Sequence, residues 1–181
     1  MAQLLKIARF LDSLAEGTGR AVAWLALALT ALTVYDVVAR YAFQSGSVAL
    51  QEAEWHIFAV LFLLAAAYTL KHDAHVRVDI LYGRLGPRGK GIVDLLGTLL
   101  LLLPFCLLMI GTSWEFVSLS WEMGESSSDP GGLPYRWLLK GMIPLGFLLV
   151  ALQGVAQAIH ALRAVVTGAE DPDGAKEPNV V

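Results

Sequence analysis

The chain has 181 residues, 56% of them hydrophobic and only 16% charged, with a net charge of −3 and a mean hydropathy of +0.61. Soluble domains carry about a quarter charged residues, so this composition does not build a solvated surface; it suits an integral membrane protein. No basic stripe points to nucleic acid, and the single cysteine, Cys106, excludes an internal disulfide, a CxxC redox pair and a cysteine zinc site.

The first twenty residues hold Lys6, Arg9, Asp12, Glu16 and Arg20. No apolar core of signal-peptide length separates them, so a cleavable leader is not expected. Leu4, Ile7, Leu11 and Leu14 recur at three- and four-residue spacing, with Lys6, Arg9, Asp12 and Ser13 off that stripe. This predicts an N-terminal helix over 1–19 lying in the membrane interface, with lipid as its partner. A frayed end is the alternative for the first few residues.

A helix needs roughly 20 apolar residues to cross the hydrocarbon core. Four stretches qualify: 21–39, 55–70 with extension back through Val48–Leu50, 95–119, and 137–159 provided Lys140 snorkels to an interface. Pro104 and Pro144 are expected to kink the third and fourth spans. The halves show no repeat, so a self-contained inverted-repeat transporter is not suggested. The predicted fold is therefore all-α and membrane-integral: an interfacial helix at 1–19, a four-span unit at 20–165 and a disordered tail at 166–181.

Lys and Arg set the orientation. Lys6, Arg9 and Arg20 precede the first span; Lys71, Arg77, Arg84, Arg88 and Lys90 follow the second; Arg163 and Lys176 follow the fourth. The opposite side has Arg40, Arg136 and Lys140. Both termini and the 71–90 loop are expected in the cytoplasm, with loops 41–50 and 122–136 outside.

Charges beside a span are costly in lipid and attract attention. Asp36 and Arg40 lie four apart and are placed to pair along one helix face. Glu52 and Glu54 open the second span across a short outer loop, where Arg40 is also placed to bridge to either of them. The cluster either only pins the first hairpin or also contacts a partner protein. Gln153, Gln157 and His160 share a face of the fourth span beside Gly154 and Ala158, a pattern of helix–helix contact. A proton relay would want a deep carboxylate, and that span has none.

The four histidines do not pair across the bilayer, so haem is not expected. His72, Asp73, His75 and Asp79 match no closed metal-ligand set, so no cofactor is expected. In "KHDAHVRVDI" (71–80), Arg77 and Asp79 are close enough to pair, and Asp79 is placed to N-cap a short helix. Asp129, Gly131 and Gly132, followed by Pro134, form a stiff acidic outer loop.

The segment "RYAFQSGSVALQEAEWHIFAVLFLLAAAYTLKHDAHVRVDILYGRL" (40–85) resembles the small membrane subunit of tripartite ATP-independent periplasmic (TRAP) transporters, the DctQ-like family. The carriers are Arg40-Tyr41 ending the first span, Gln51-Glu52 opening the second, and His75, Arg77, Val78 and Asp79 after it. The resemblance covers roughly residues 20–165.

It implies a non-enzymatic, multi-pass subunit of a bacterial inner membrane that binds no substrate itself. Its implied partners are a large sodium-coupled permease subunit and a periplasmic substrate-binding protein that captures an organic acid. "SSDPGGLPYRW" (127–137) looks like a carboxylate-linked branch of that family. Arg40, Tyr41, Gln51, Glu52, Glu54, His75, Arg77, Asp79, Gln153 and Gln157 are then candidate interface or structural residues. Asp129, Gly131 and Gly132 are candidates for receptor docking. A self-sufficient small channel or exporter and a four-helix membrane enzyme are the competing classes. Cys106, in the apolar "LLPFCLLM", argues against a reactive thiol.

Overall fold

The computed structural model describes residues 1–72 and 82–168. Among these the secondary structure is helical, without strands. The helices are α1 (Ala2–Ala42), α2 (Val48–Lys71), α3 (Pro87–Gly97), α4 (Leu103–Glu122) and α5 (Arg136–Thr167). A π-helical turn, Thr98–Leu102, joins α3 to α4, so that Pro87–Glu122 forms one 36-residue span. Four helices are long and apolar enough to cross a membrane, as expected.

The N-terminal segment is not a separate element. α1 runs unbroken for 41 residues, about 60 Å at roughly 1.5 Å per residue, against a hydrocarbon core of about 30 Å. Gly17 and Gly19 do not end it. Gly19 lies so close under Tyr68 of α2 that an added Cβ would collide with the ring, so the glycine serves helix contact. The leucine stripe is only partly inward: Leu4 and Ile7 are exposed, while Ala8 and Ala15 are buried.

α5 is the central helix. It packs against α1, α2, α3 and α4, whereas the third span packs chiefly on α5. The result is α1 and α2 on one flank of α5 and the third span on the other. The contacts are made by small residues. A Cβ at Gly146 would stand 2.9 Å from the Leu63 carbonyl, and one at Gly91 would stand 2.9 Å from the Ala161 carbonyl. Ala67, Ala151, Ala156 and Ala161 complete this interior, while Trp24, Leu27, Phe62, Leu101, Leu107 and Trp114 face outward. Lipid tails are as apolar as leucine, so helices in a membrane associate by close backbone approach, and large apolar side chains gain nothing by turning inward.

Both prolines lie within spans. α5 continues through Pro144. The π-turn ends at Leu102, two residues before Pro104, and Leu103 N–H reaches back to the Thr98 carbonyl. Proline donates no hydrogen bond and crowds the preceding turn, and a widened turn is one way a helix absorbs it.

Candidate functional site

Polar side chains gather at the two ends of the bundle. One end carries the α1–α2 and α4–α5 loops. The other carries Met1 and Gly168.

At the loop end the centre is Glu52, on the first turns of α2 and 4% exposed. Its carboxylate accepts from Ser127 Oγ at 2.5 Å, from the Leu133 backbone N–H at 2.5 Å and from the Arg136 guanidinium at 2.8 Å. Arg136 also donates to Ser127 Oγ at 3.1 Å and lies 5.3 Å from the Trp55 ring centroid. One carboxylate thus ties the start of α2 to both sides of the α4–α5 loop and to the first residue of α5.

The loop between α4 and α5 is closed by its own backbone. Ser127 N–H donates to the Leu133 carbonyl at 3.0 Å, and Arg136 N–H to the Glu125 carbonyl at 3.0 Å. Gly132 N–H donates to the Asp129 carbonyl, also at 3.0 Å. Gly131 has φ +82°, a conformation glycine adopts readily. Gly132 has no room for a side chain: a Cβ would stand 2.8 Å from Glu52 Oε2 and collide with Ser127. Tyr135, with φ 61°, holds a left-handed conformation at the N-terminus of α5.

Lys140 reaches Glu125 and sits 3.8 Å from the Phe116 ring centroid. Its hydrogen bond holds the Glu125 carboxyl below its ordinary range. Trp121 and Trp137 meet edge to face at 4.4 Å beside it. Lys140 therefore ends in an ion pair with the loop at this end of the bundle.

Arg40 does not bridge to Glu52 or Glu54. It pairs with Asp36, one turn back on the same helix, while Glu52 takes Arg136. Asp36 is 2% exposed, and its Oδ1 has no hydrogen-bond partner among the described residues. Glu54 Oε1 is likewise buried without one. Tyr41 and Gln51 are exposed. His75, Arg77 and Asp79 lie outside the described residues.

At the other end, Asp12 of α1 joins α5. Its Oδ1 accepts from Gln153 Nε2 at 2.9 Å, and its Oδ2 lies 2.9 Å from His160 Nε2. Gln153 and His160 thus make the helix contact their spacing suggested. Gln157 Oε1 is buried without a partner among the described residues. One turn further along α1, Glu16 takes Lys71 Nζ at 2.7 Å, His72 Nε2 at 2.9 Å and Arg20 Nε at 2.8 Å. The sequence pattern missed Arg136, Ser127, Asp12 and Glu16 as partners. For Arg136 a signal existed: the Lys/Arg reading set it apart with Arg40 and Lys140, beside the acids that open the second span.

These groups bind one another. Among the described residues no group of three or more His, Cys, Asp or Glu side chains is placed to hold a metal. Cys106 is fully buried. Each cluster instead fixes helices or a loop in register.

Residues 29–164 match the family described as "Tripartite ATP-independent periplasmic transporters, DctQ component". The chain is also 30% identical over 129 residues to a Haemophilus influenzae protein named "Putative TRAP transporter small permease protein", an overlap covering 70% of this chain and 80% of that protein. The family match spans most of the chain and includes α2, the α4–α5 loop and nearly all of α5. This multi-pass helical membrane protein belongs to the DctQ family, the small permease component of TRAP transporters.

Proposed function

We propose that the chain is the non-substrate-binding subunit of a sodium-coupled TRAP transporter of a bacterial inner membrane. It acts with a large permease subunit and a periplasmic binding protein to import an organic acid. Its termini face the cytoplasm, and the end built around Glu52 faces the periplasm. The Lys/Arg distribution supports that orientation.

The observation that carries the reading is how the polar side chains are used. Asp12, Glu16, Glu52, Gln153 and Arg136 are occupied with one another between helices or with the loop. Large apolar side chains ring the outside. That is the construction of a scaffold. A carrier instead leaves polar groups pointing into a path through the membrane. The hydrogen-bonded Asp129–Gly132 loop, held over Glu52, offers a shaped edge for a soluble receptor, and Glu54, Tyr41 and Gln51 lie at the same end.

The test is co-expression. The chain should co-purify with the large subunit, and sodium-dependent uptake of the organic acid should require both membrane subunits and the receptor. Transport by the isolated chain in liposomes would overturn the reading and favour a self-sufficient channel.

A further inference from the structure

We propose that the outward face of α4, formed by Gly111, Glu115, Ser118 and Glu122, is the docking surface for a membrane-spanning helix of the large permease subunit, one that presents a lysine or arginine to Glu115. This rests on the reading of the chain as a small permease subunit and names the face that meets its partner.

The first observation is that α4 has two distinct sides. At about 100° per residue, Cys106, Ser113 and Ser120 fall within about 40° of one another, and all three are buried. Gly111, Glu115, Ser118 and Glu122 fall within about 60° of one another on the opposite side. Gly111, Glu115 and Glu122 are exposed and Ser118 is half-buried. The third span packs chiefly on α5, so no other helix among the described residues covers that side.

The second observation is which groups there lack a partner. The Thr112 hydroxyl donates to the Leu108 carbonyl at 2.9 Å and the Ser118 hydroxyl to the Glu115 carbonyl at 3.0 Å. The Glu115 carboxylate makes no ion pair among the described residues. A Cβ at Gly111 would meet nothing within 4 Å, so packing within the chain does not call for glycine there. A small residue on a membrane helix lets a neighbouring backbone approach closely.

The third observation is depth. Phe105 meets Phe147 at 5.7 Å and Trp121 meets Trp137 at 4.4 Å, which sets Glu115 level with Gly141 of α5. Gly146 lies against Leu63, and α2 and α5 run in the same direction, so Gly141 is level with Phe58 of α2. α2 has no Asp, Glu, Lys or Arg between Glu54 and Lys71. That stretch rises about 24 Å, less than the hydrocarbon core of about 30 Å, so a crossing α2 needs all of it. Glu115 is therefore an outward carboxylate at hydrocarbon depth, where ionised groups are costly and pair with another charge.

Charge then selects the occupant. Arg40, Arg136 and Lys140, the cations at this end, are each held by an acid of the same chain. A second copy thus brings no free cation to Glu115, whereas a basic side chain on a helix of the large subunit does.

The experiment titrates the purified chain with the detergent-solubilised large subunit and reads the concentration for half-maximal capture. E115Q should raise it about threefold to twentyfold, the range for one interhelical hydrogen bond in a membrane. E115K should raise it more than about twentyfold, because like charges then meet. G111L should weaken capture about tenfold by blocking close approach. The melting midpoint of the isolated chain should stay within about 2 °C for E115Q and E115K, whose side chain is exposed.

Capture of the unmodified chain with all three variants unchanged would overturn this proposal alone. No capture of the unmodified chain would overturn the small-subunit reading and the proposal with it. A fall in the isolated chain's midpoint that accounts for the lost capture would make Glu115 part of the fold and overturn the docking surface. So would an isolated chain that is dimeric by light scattering and becomes monomeric with E115K, which would assign the face to a second copy.

Discussion

Replacing Asp12 with alanine should loosen the N-terminal half of α1 from α5. The carboxylate holds two groups of α5, Gln153 Nε2 and His160 Nε2, each at 2.9 Å. Interhelical hydrogen bonds in membrane proteins contribute about 0.6 kcal/mol on average and at most about 1.7. Two of them, with Gln153 only 4% exposed, give a cost of about 1–3 kcal/mol. At about 2–4 °C per kcal/mol for a chain of this size, the melting midpoint should fall by roughly 2–12 °C. Circular dichroism of the detergent-solubilised chain reads it. Asp12→Ala, Gln153→Ala and the double variant form a cycle, and the pair should show a coupling of about 0.6–1.7 kcal/mol. A midpoint unchanged within 1 °C, or strictly additive losses in the cycle, would refute the assignment of this bond as the tie between α1 and α5.

Gly146→Val should destabilise by about 1–3 kcal/mol through overpacking, because its Cβ would meet the Leu63 carbonyl at 2.9 Å and Leu63 Cβ at 3.1 Å; thermal melts check this, and an unchanged midpoint would mean that α2 and α5 part easily. The lowered pKa of Glu125 means that its pairing with Lys140 is fully present above the ordinary carboxylate value of about 4.3 and is lost as pH falls through the lower folded value. Fluorescence of neighbouring Trp121 and Trp137 should therefore change in acid, and Glu125→Gln should remove that step; identical acid profiles would count against it. In a Cys106→Ala background, an impermeant maleimide applied to intact cells should label Asp129→Cys and spare Gln3→Cys, and the reverse pattern would invert the topology.

Much of the architecture is legible in the sequence because spans announce themselves by length and hydropathy. Three features are less legible, each for a physical reason. The boundary at residue 19 follows a change in composition, yet α1 continues. Two glycines cost only about 1 kcal/mol each in a helix, and close packing of Gly19 on Tyr68 offsets that. The widened turn at Thr98–Leu102 leaves no periodic signature; only Pro104 hints at it.

The partner of Glu52 lies 84 residues away in sequence. The short outer loop put Arg40 forward as that partner, but Arg40 keeps the i,i+4 pairing with Asp36 that its helix spacing predicted. The inward turn of Gln153 and His160 was readable from their shared helix face, but the identity of their partner was not. Asp12 sits off the leucine stripe and looked solvated.

The central claim is that the chain's polar residues build and hold an assembly and take no part in moving substrate. The most direct test measures two quantities on one pair of variants, Glu52→Gln and Arg136→Gln: the yield of this chain bound to the large subunit, and sodium-driven uptake per purified complex at saturating receptor. Loss of the lock around Ser127, Leu133 and Arg136 should lower the yield several-fold, while each surviving complex transports at a rate within about twofold of the unmodified one. Full assembly with abolished uptake or an altered sodium dependence would contradict the account and place Glu52 in the transport step itself.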